Sequence, residues 1–365
     1  LVALAQATEK SLGGATVADI AAGYTQKGWQ ADAAALDALE TVEAAEDVAA
    51  VKAAIVALYR TWLENAAAAL QAAVLGNPAA NYAPGLPPAA DPGTCILFSD
   101  ALRFDAGVKL MVALERRGLS CAMGWRLAAL PTVTSTAKPA VSPAAGLMAG
   151  GEPSLTPVVK ATGANSSVAA LRKLLEGAGY QILTGDALGE PGGRAWTELG
   201  EIDQYGHEHG WKLSHHLPGE LRSLEGRIDA LLSHGWQRVV VVTDHGWLLL
   251  PGGLPKVELP QHLTIFRKGR CAVLNEKSET DQHTVPWHWD KNVRIAVATG
   301  IACYEAGKEY EHGGISPQEC IVPVIAVSKP AAAAAPEVAI AGVTWKGLRC
   351  SITVSGAIAG MTADI

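Results

Sequence analysis

Four short strings, far apart in the chain, carry Asp and His residues suited to binding metal ions. They are Leu97-Phe98-Ser99-Asp100, Glu201-Ile202-Asp203-Gln204-Tyr205-Gly206-His207, Val240-Val241-Val242-Thr243-Asp244-His245-Gly246 and His312-Gly313-Gly314. Together they offer six candidate ligands: Asp100, Asp203, His207, Asp244, His245 and His312. A pair of divalent cations about 4 Å apart can hold both the attacking and the leaving oxygen of a phosphoryl transfer, and it needs carboxylates and imidazoles converging on one cavity. Asp203 and His207 are four residues apart, which puts both on one side of a helix or compact loop. Asp244 and His245 are adjacent, so both can face a cation only where the strand has ended and the backbone turns, as Gly246 permits.

The string Leu130-Pro131-Thr132-Val133-Thr134-Ser135 precedes a helical pattern and offers a hydroxyl at a helix amino terminus. Unpaired N–H groups and the helix dipole favour an anionic phosphate there. Thr134 is the expected nucleophile, since an alkoxide bound to metal is activated without a histidine base. Thr132, Ser135 and Thr136 are competing hydroxyls, any of which could be an N-cap instead. Taken alone, Asp203 and His207 read equally well as a helix cap and a surface imidazole, with His209 as the competing histidine. An Asp and a His directly after a run of valines must be solvated or paired. His312 alone reads as part of a plain turn, and Glu319 as structural. His215, His216 and His283 have no assigned role. Trp287, His288 and Trp289 could stack on bases in a cleft, but core packing is the expectation.

These residues need a scaffold. Residues 1–76 are rich in Ala, Leu, Glu and Lys with helical spacing, as in Val48, Val51, Ile55, Leu58 and Leu63, and predict a small all-helical region. Pro84, Pro87, Pro88 and Pro92 make 77–93 an extended linker and a boundary. Beyond it, strand-like runs at 94–99, within 120–130, and at 238–243, 293–298 and 321–327 alternate with helical patterns at 101–117, 135–148, 166–178 and 217–232. This predicts an α/β domain over 94–328, a mostly parallel sheet flanked by helices. In such sheets sites gather at the carboxyl ends of strands, where Asp100 and Asp244 fall. The stretches at about 150–199 and 247–289 fit the sheet poorly and read as insertions covering the site. Residues 329–365 read as a linker, from Lys329 to Pro336, and the start of a truncated β module with strand-like alternation over 338–356. The chain opens at Leu1 inside a helical pattern and ends at Ile365 in an unfinished β region, so it is expected to be a piece of a longer protein.

At 365 residues, 49% hydrophobic and 18% charged, the chain has the composition of a soluble globular enzyme rather than a disordered segment. A net charge of -7 argues against a uniformly basic nucleic-acid coat but leaves room for a local basic cleft. Six cysteines without a CxxC pair, several in apolar runs, predict reduced thiols and a cytoplasmic protein. No run reaches the ~20 apolar residues of a membrane span, and no basic, apolar leader opens the chain.

The ordered series resembles the alkaline phosphatase superfamily, most closely its PglZ branch, found in BREX phage-defence systems. The resemblance rests on Asp100-Ala101-Leu102-Arg103-Phe104-Asp105, Pro131-Thr132-Val133-Thr134, Thr243-Asp244-His245-Gly246 and His312-Gly313-Gly314-Ile315-Ser316-Pro317-Gln318-Glu319, and spans roughly residues 94–327. It implies an alkaline-phosphatase-like fold and a metal-dependent phosphohydrolase, a phosphodiesterase or nuclease acting in phage defence. One divalent metal would be held by Asp203, His207 and His312, the other by Asp100, Thr134, Asp244 and His245. Ligands of His and Asp without Cys suit Zn, with Mn or Mg as alternatives. Implied partners are a phosphodiester substrate, a nucleic acid or nucleotide, and the BREX proteins BrxB and the DNA methyltransferase PglX. No Cys/Ser-x-Pro-x-Arg string follows Asp100, which turns the expectation away from a sulfatase. The Asn that phosphodiesterase relatives carry after the nucleophile is not evident, so Lys138 is the expected phosphate-binding cation. Arg103 is expected to serve catalysis through an ion pair with Asp105 that orients the site. The alternatives are a vestigial, metal-stabilised scaffold and a phosphomonoesterase or phosphomutase.

Overall fold

Four consecutive valines need burial on both faces, and in the computed structural model they obtain it inside a six-stranded sheet. The structure describes residues 1–88, 90–330 and 339–355. The strands are β1 (Thr94–Phe98), β2 (Ser120–Leu127), β3 (Tyr180–Leu183), β4 (Arg194–Glu198), β5 (Arg238–Val242) and β6 (Ile321–Ser328), in spatial order β2-β6-β5-β1-β4-β3. β3, β4, β1 and β5 are parallel, with Ile96 opposite both Trp196 and Val240. β6 runs antiparallel to both β5 and β2, so β2 points the same way as the parallel set. The expected mostly parallel sheet flanked by helices is present. Its one reversed strand matters: β6 begins at the edge where the other five end.

Alternate residues of the central strands face opposite layers. Cys95, Leu97, Val239 and Val241 join a core with the helices α1 (Val2–Thr8), α2 (Val17–Gly23), α3 (Trp29–Glu40), α4 (Ala45–Leu75) and α5 (Phe104–Arg116). Ile96, Phe98, Val240 and Val242 pack with Val141 at the end of α6 (Thr134–Val141) and with Leu171 and Leu175 of α7 (Val168–Gly177). Two further helices, α8 (Ile202–His209) and α9 (Leu213–His234), add Ile202, Leu217, Leu224 and Leu231 to the first layer. Among the described residues no helix is long and apolar enough to cross a membrane.

Two sequence expectations are corrected. The 150–199 stretch is not an insertion outside the sheet, because it supplies β3 and β4; their sequences, Tyr-Gln-Ile-Leu and Arg-Ala-Trp-Thr-Glu, carry polar residues that mask the strand pattern. The run at 293–298 does form a strand, Arg294–Val297, but in a second, antiparallel sheet with Thr264–Arg267, Cys271–Leu274 and His283–Pro286. Its β-branched residues required burial without specifying in which sheet. Apart from one helical turn at Pro78–Asn81, the described part of 77–93 has no regular structure until β1.

The chain divides into two units, Leu1–Lys329 and Pro330–Ile365, so the N-terminal helices share a body with the sheet. In the second unit an antiparallel hairpin pairs Ala339–Lys346 with Arg349–Ser355. The expected linker after Pro330, to Pro336, and the outer ends of the β module at 338 and 356 lie outside the described residues.

Polar contacts fasten the helices to the sheet's loops. Gln71 of α4 donates to Gly300 O and Ile315 O, both at 3.0 Å, and accepts from Gly300 N at 2.8 Å. Asp32 of α3, fully buried, accepts from Tyr24 Oη at 2.6 Å, from Tyr59 Oη, and from Gln318 Nε2 at 3.2 Å. Burial pushes the Asp32 carboxyl up to about 6, against the pull of Arg103 and the two tyrosines. A folded-state value above the unfolded one means that the native state takes up the proton first. This group's contribution to stability is therefore full below about pH 4 and is lost as pH rises through about 6. Asp32→Asn should remove that loss: relative to wild type, its melting temperature by circular dichroism should rise between about pH 4.5 and about pH 7.5. A constant difference between the two proteins across that range would contradict the assignment.

Candidate metal centre

Each ligand-bearing string leaves the sheet at one edge. β1 ends at Phe98 and β5 at Val242, adjacent in register, so Asp100 and the Asp244-His245 pair emerge side by side. Ala101 lies between them in the left-handed region, φ 58°, which costs an L-residue roughly 1–2 kcal/mol. Its turn is held by Ala101 N to Asp244 Oδ1 (3.3 Å), Leu102 N to Thr243 Oγ1 (3.0 Å) and Trp247 Nε1 to Ala101 O (3.0 Å). Gly246 is required by a close approach, since a Cβ there would stand 2.0 Å from Gln318 O. Beyond β4, α8 carries Asp203 and His207 one turn apart. The reversed strand β6 brings His312, nine residues before Ile321, to the same edge.

The side chains converge. His312 Nε2 lies 3.0 Å from His207 Nε2 and 3.3 Å from Asp203 Oδ1, and His207 Nε2 is 3.6 Å from the same oxygen. His245 Nε2 lies 3.8 Å from Asp100 Oδ1 and 3.6 Å from Asp244 Oδ2. Candidate ligand atoms of Asp100, Asp244 and His245 all fall within 4.8 Å of one another, as do those of Asp203, His245 and His312. His245 therefore stands between the two groups, its ring stacked on His312 at 3.9 Å. His245 Nδ1 faces Gly246 O at 3.1 Å and His312 Nδ1 faces Thr132 O at 2.7 Å. A carbonyl can only accept, so Nδ1 holds the proton and each Nε2 turns a lone pair to the centre. Tyr310 Oη donates to Asp203 Oδ1 at 2.9 Å and fixes that carboxylate.

Whether cations fit can be judged from the oxygens. Asp100 Oδ1 and Asp244 Oδ2 are buried without a hydrogen-bond partner, an expensive arrangement unless a positive charge compensates it. Burial and neighbouring Asp244 push Asp100 well above the usual carboxylate range. Burial also opposes ionisation of Asp203, but His312, His245 and His207 outweigh it and hold that carboxyl at about 2. Burial pushes His207 and His312 down, so their imidazoles stay neutral and able to ligate. For His245 burial pulls down, while Asp244, Asp203 and Asp100 raise it overall. Carboxylates that repel one another beside imidazoles, two of them held neutral by burial, are the donor set of a divalent-cation site.

A cleft of about 650 Å³ opens beside this centre, lined by Asp100, Thr134, Ser135, Lys138, Asn165 and Lys268 among others. The competing hydroxyls separate here. Thr132 Oγ1 donates to Gly314 O and Thr136 Oγ1 to Leu155 O, and both residues are fully buried. Thr134 and Ser135 remain, and Thr134 Oγ1 lies 3.1 Å from His245 Nε2 at the first position of α6. Lys138, one turn on, lines the cleft with its ammonium 2.9 Å from Glu198 Oε2. Arg103 does pair with Asp105, through bonds of 2.6 and 2.8 Å, and lies over the Trp247 ring. Its guanidinium is buried and does not line the cleft, so a catalytic Arg103 is corrected to one that holds the turn after Asp100.

Glu319 is structural, paired with Arg270. His209 and His216 gather around Tyr205 on the opposite side of α8 from Asp203. Trp287 and Trp289 donate to Thr136 Oγ1 and O, both at 3.0 Å, and so support the helix that Thr134 opens. Asn165, Lys268 and Tyr310 were not found by sequence reasoning. Asn165 lies in a stretch without periodicity, Lys268 in a hairpin turn, and only the fold brings them to the cleft.

No family model matches the chain, and no curated protein matches its sequence. Among solved structures, murine ectonucleotide pyrophosphatase / phosphodiesterase 5 is similar with a TM-score of 0.41 and 10% identity, over 66% of this chain and 89% of that one.

Proposed function

We propose that the chain is a metal-dependent phosphoric ester hydrolase of the phosphodiesterase or nuclease type, in the alkaline phosphatase superfamily. The observation that carries this reading is the orphaned pair of buried oxygens, Asp100 Oδ1 and Asp244 Oδ2, beside an imidazole that also faces the Thr134 hydroxyl. Asp203, His207 and His312 would hold one divalent cation, and Asp100, Thr134, Asp244 and His245 the other. Zn suits this His and Asp donor set, with Mn or Mg as alternatives. Such cations supply Lewis acidity, and they neutralise charge on the phosphate and on the Thr134 oxygen. Thr134 Oγ1 would lose its proton and form the bond to phosphorus as the ester oxygen leaves and takes up a proton, and water would later hydrolyse the threonyl phosphate, returning the proton to Thr134 and releasing the phosphate product. The amino terminus of α6 and Lys138, which lines the cleft, would hold phosphate oxygens. Service in BREX phage defence, a nucleic-acid or nucleotide substrate, contacts with BrxB and PglX, and a cytoplasmic location belong to the same proposal.

Metal analysis of wild type and Asp244→Ala tests it. Wild type is expected to carry about two equivalents of divalent metal and to cleave a chromogenic phosphodiester; the variant should lose about one equivalent and the activity. Wild type inert with both zinc and manganese would favour a vestigial scaffold. A preference for monoesters would favour a phosphomonoesterase or phosphomutase.

A further inference from the structure

His207 differs from the other two imidazoles in what faces its Nδ1. His245 and His312 turn Nδ1 to backbone carbonyls, whereas His207 Nδ1 looks toward a side chain, Glu311 Oε1, at 4.0 Å. Glu311 is 5% exposed on the two-residue strand Tyr310–Glu311, and its Oε2 accepts from His312 N at 3.2 Å. One buried carboxylate thus touches the backbone of one proposed ligand and faces the ring of another. Space for it depends on Gly269, where a Cβ would stand 2.2 Å from the Glu311 carboxyl carbon. The nearest cation is Lys308 Nζ, 3.8 Å away on a side chain 39% exposed. That is a weak partner for a buried carboxylate. The His207 side chain is 34% exposed, and its Nδ1 stands about 1 Å beyond hydrogen-bond range of Glu311 Oε1.

We propose that Glu311 is a positioning residue of the metal centre: it accepts the Nδ1 proton of His207, fixes the tautomer that presents Nε2, and adds negative charge behind the cation held by Asp203, His207 and His312. A carboxylate behind a ligating imidazole raises its basicity and restricts its orientation, and loss of such a partner typically weakens metal binding 10- to 100-fold. The inference rests on the two-cation reading of the site, and its test separates the two.

Zinc affinity is measured by chelator competition on wild type, Glu311→Gln, His207→Ala and the double variant. Gln keeps an acceptor for His312 N and the shape of the side chain, but removes the charge. One of the two zinc affinities should fall about 10- to 100-fold in Glu311→Gln while the other stays, and the double variant should bind like His207→Ala alone. Equal affinities in wild type and Glu311→Gln, or additive losses in the double variant, would overturn the proposal. Absence of zinc binding in wild type would overturn the two-cation reading itself. A measurement on wild type does not depend on any variant folding: long-range ¹H–¹⁵N spectra of the zinc-loaded protein should show His207 protonated at Nδ1. A ring protonated at Nε2 would refute the assignment.

Discussion

Thr134→Ala is expected to lower turnover of a chromogenic phosphodiester roughly a thousandfold or more, while zinc or manganese stays bound through the remaining Asp100, Asp244 and His245 and the melting temperature changes little. The separation of effects follows from where the hydroxyl stands. Thr134 is the first residue of α6, but Val133 is the N-cap and no side-chain cap bond exists there, so removing Oγ1 leaves the helix start intact. Oγ1 faces His245 Nε2 across 3.1 Å and opens on the cleft. Thr132 and Thr136, spent on backbone carbonyls, cannot substitute. Ser135 also lines the cleft, which makes Ser135→Ala the discriminating control. That variant should retain most activity, and Thr134→Ser should retain part of it. If Ser135→Ala is the inactive variant instead, Thr134 is not the nucleophile.

Sequence reasoning reached the parts of this site that local pattern encodes. Four valines predict a central strand, and the Asp and His that follow them must lie at its carboxyl end. A spacing of four places Asp203 and His207 on one helical face. Direction is another matter: nothing in the residues of β6 says that it runs against its neighbours, yet that reversal delivers the His312 loop to the site. β3 and β4 were missed because Gln181, Arg194 and Thr197 break the apolar pattern near the sheet's edge. The choice among four neighbouring hydroxyls was decided by tertiary hydrogen bonds to Gly314 and Leu155, residues far away in the chain. Arg103 and Asp105 are two residues apart and their pairing was legible, but their burial under Trp247 was not. Tyr310 and Glu311 lie on a strand of only two residues and Lys268 in a hairpin turn, stretches too short to carry a periodicity.

The largest effect on stability should come from Glu319→Ala. Arg270 and Glu319 are both fully buried and joined twice, at 2.9 and 3.2 Å, while Glu319 Oε1 also accepts from Gly314 N at 2.8 Å. Arg270 donates in addition to Gly300 O and Ala302 O, and Gly314 has room only for hydrogen, since a Cβ would stand 2.5 Å from the guanidinium. Truncating Glu319 leaves a buried guanidinium and a backbone N–H without their partner, a loss of about 3–5 kcal/mol. Against a total stability of about 5–15 kcal/mol this is a large fraction. Urea unfolding with chelator present isolates the packing effect from metal binding. Glu319→Gln, which keeps an acceptor for Gly314 N, should lose less. Replacing the pair together, Arg270→Met with Glu319→Leu, should recover much of the loss, because no charge is then left unpaired. A Glu319→Ala protein within about 0.5 kcal/mol of wild type would mean that the pair contributes nothing net. The same variant should bind metal more weakly, since Gly314 lies two residues from His312 and the carboxylate that anchors its N–H would be gone.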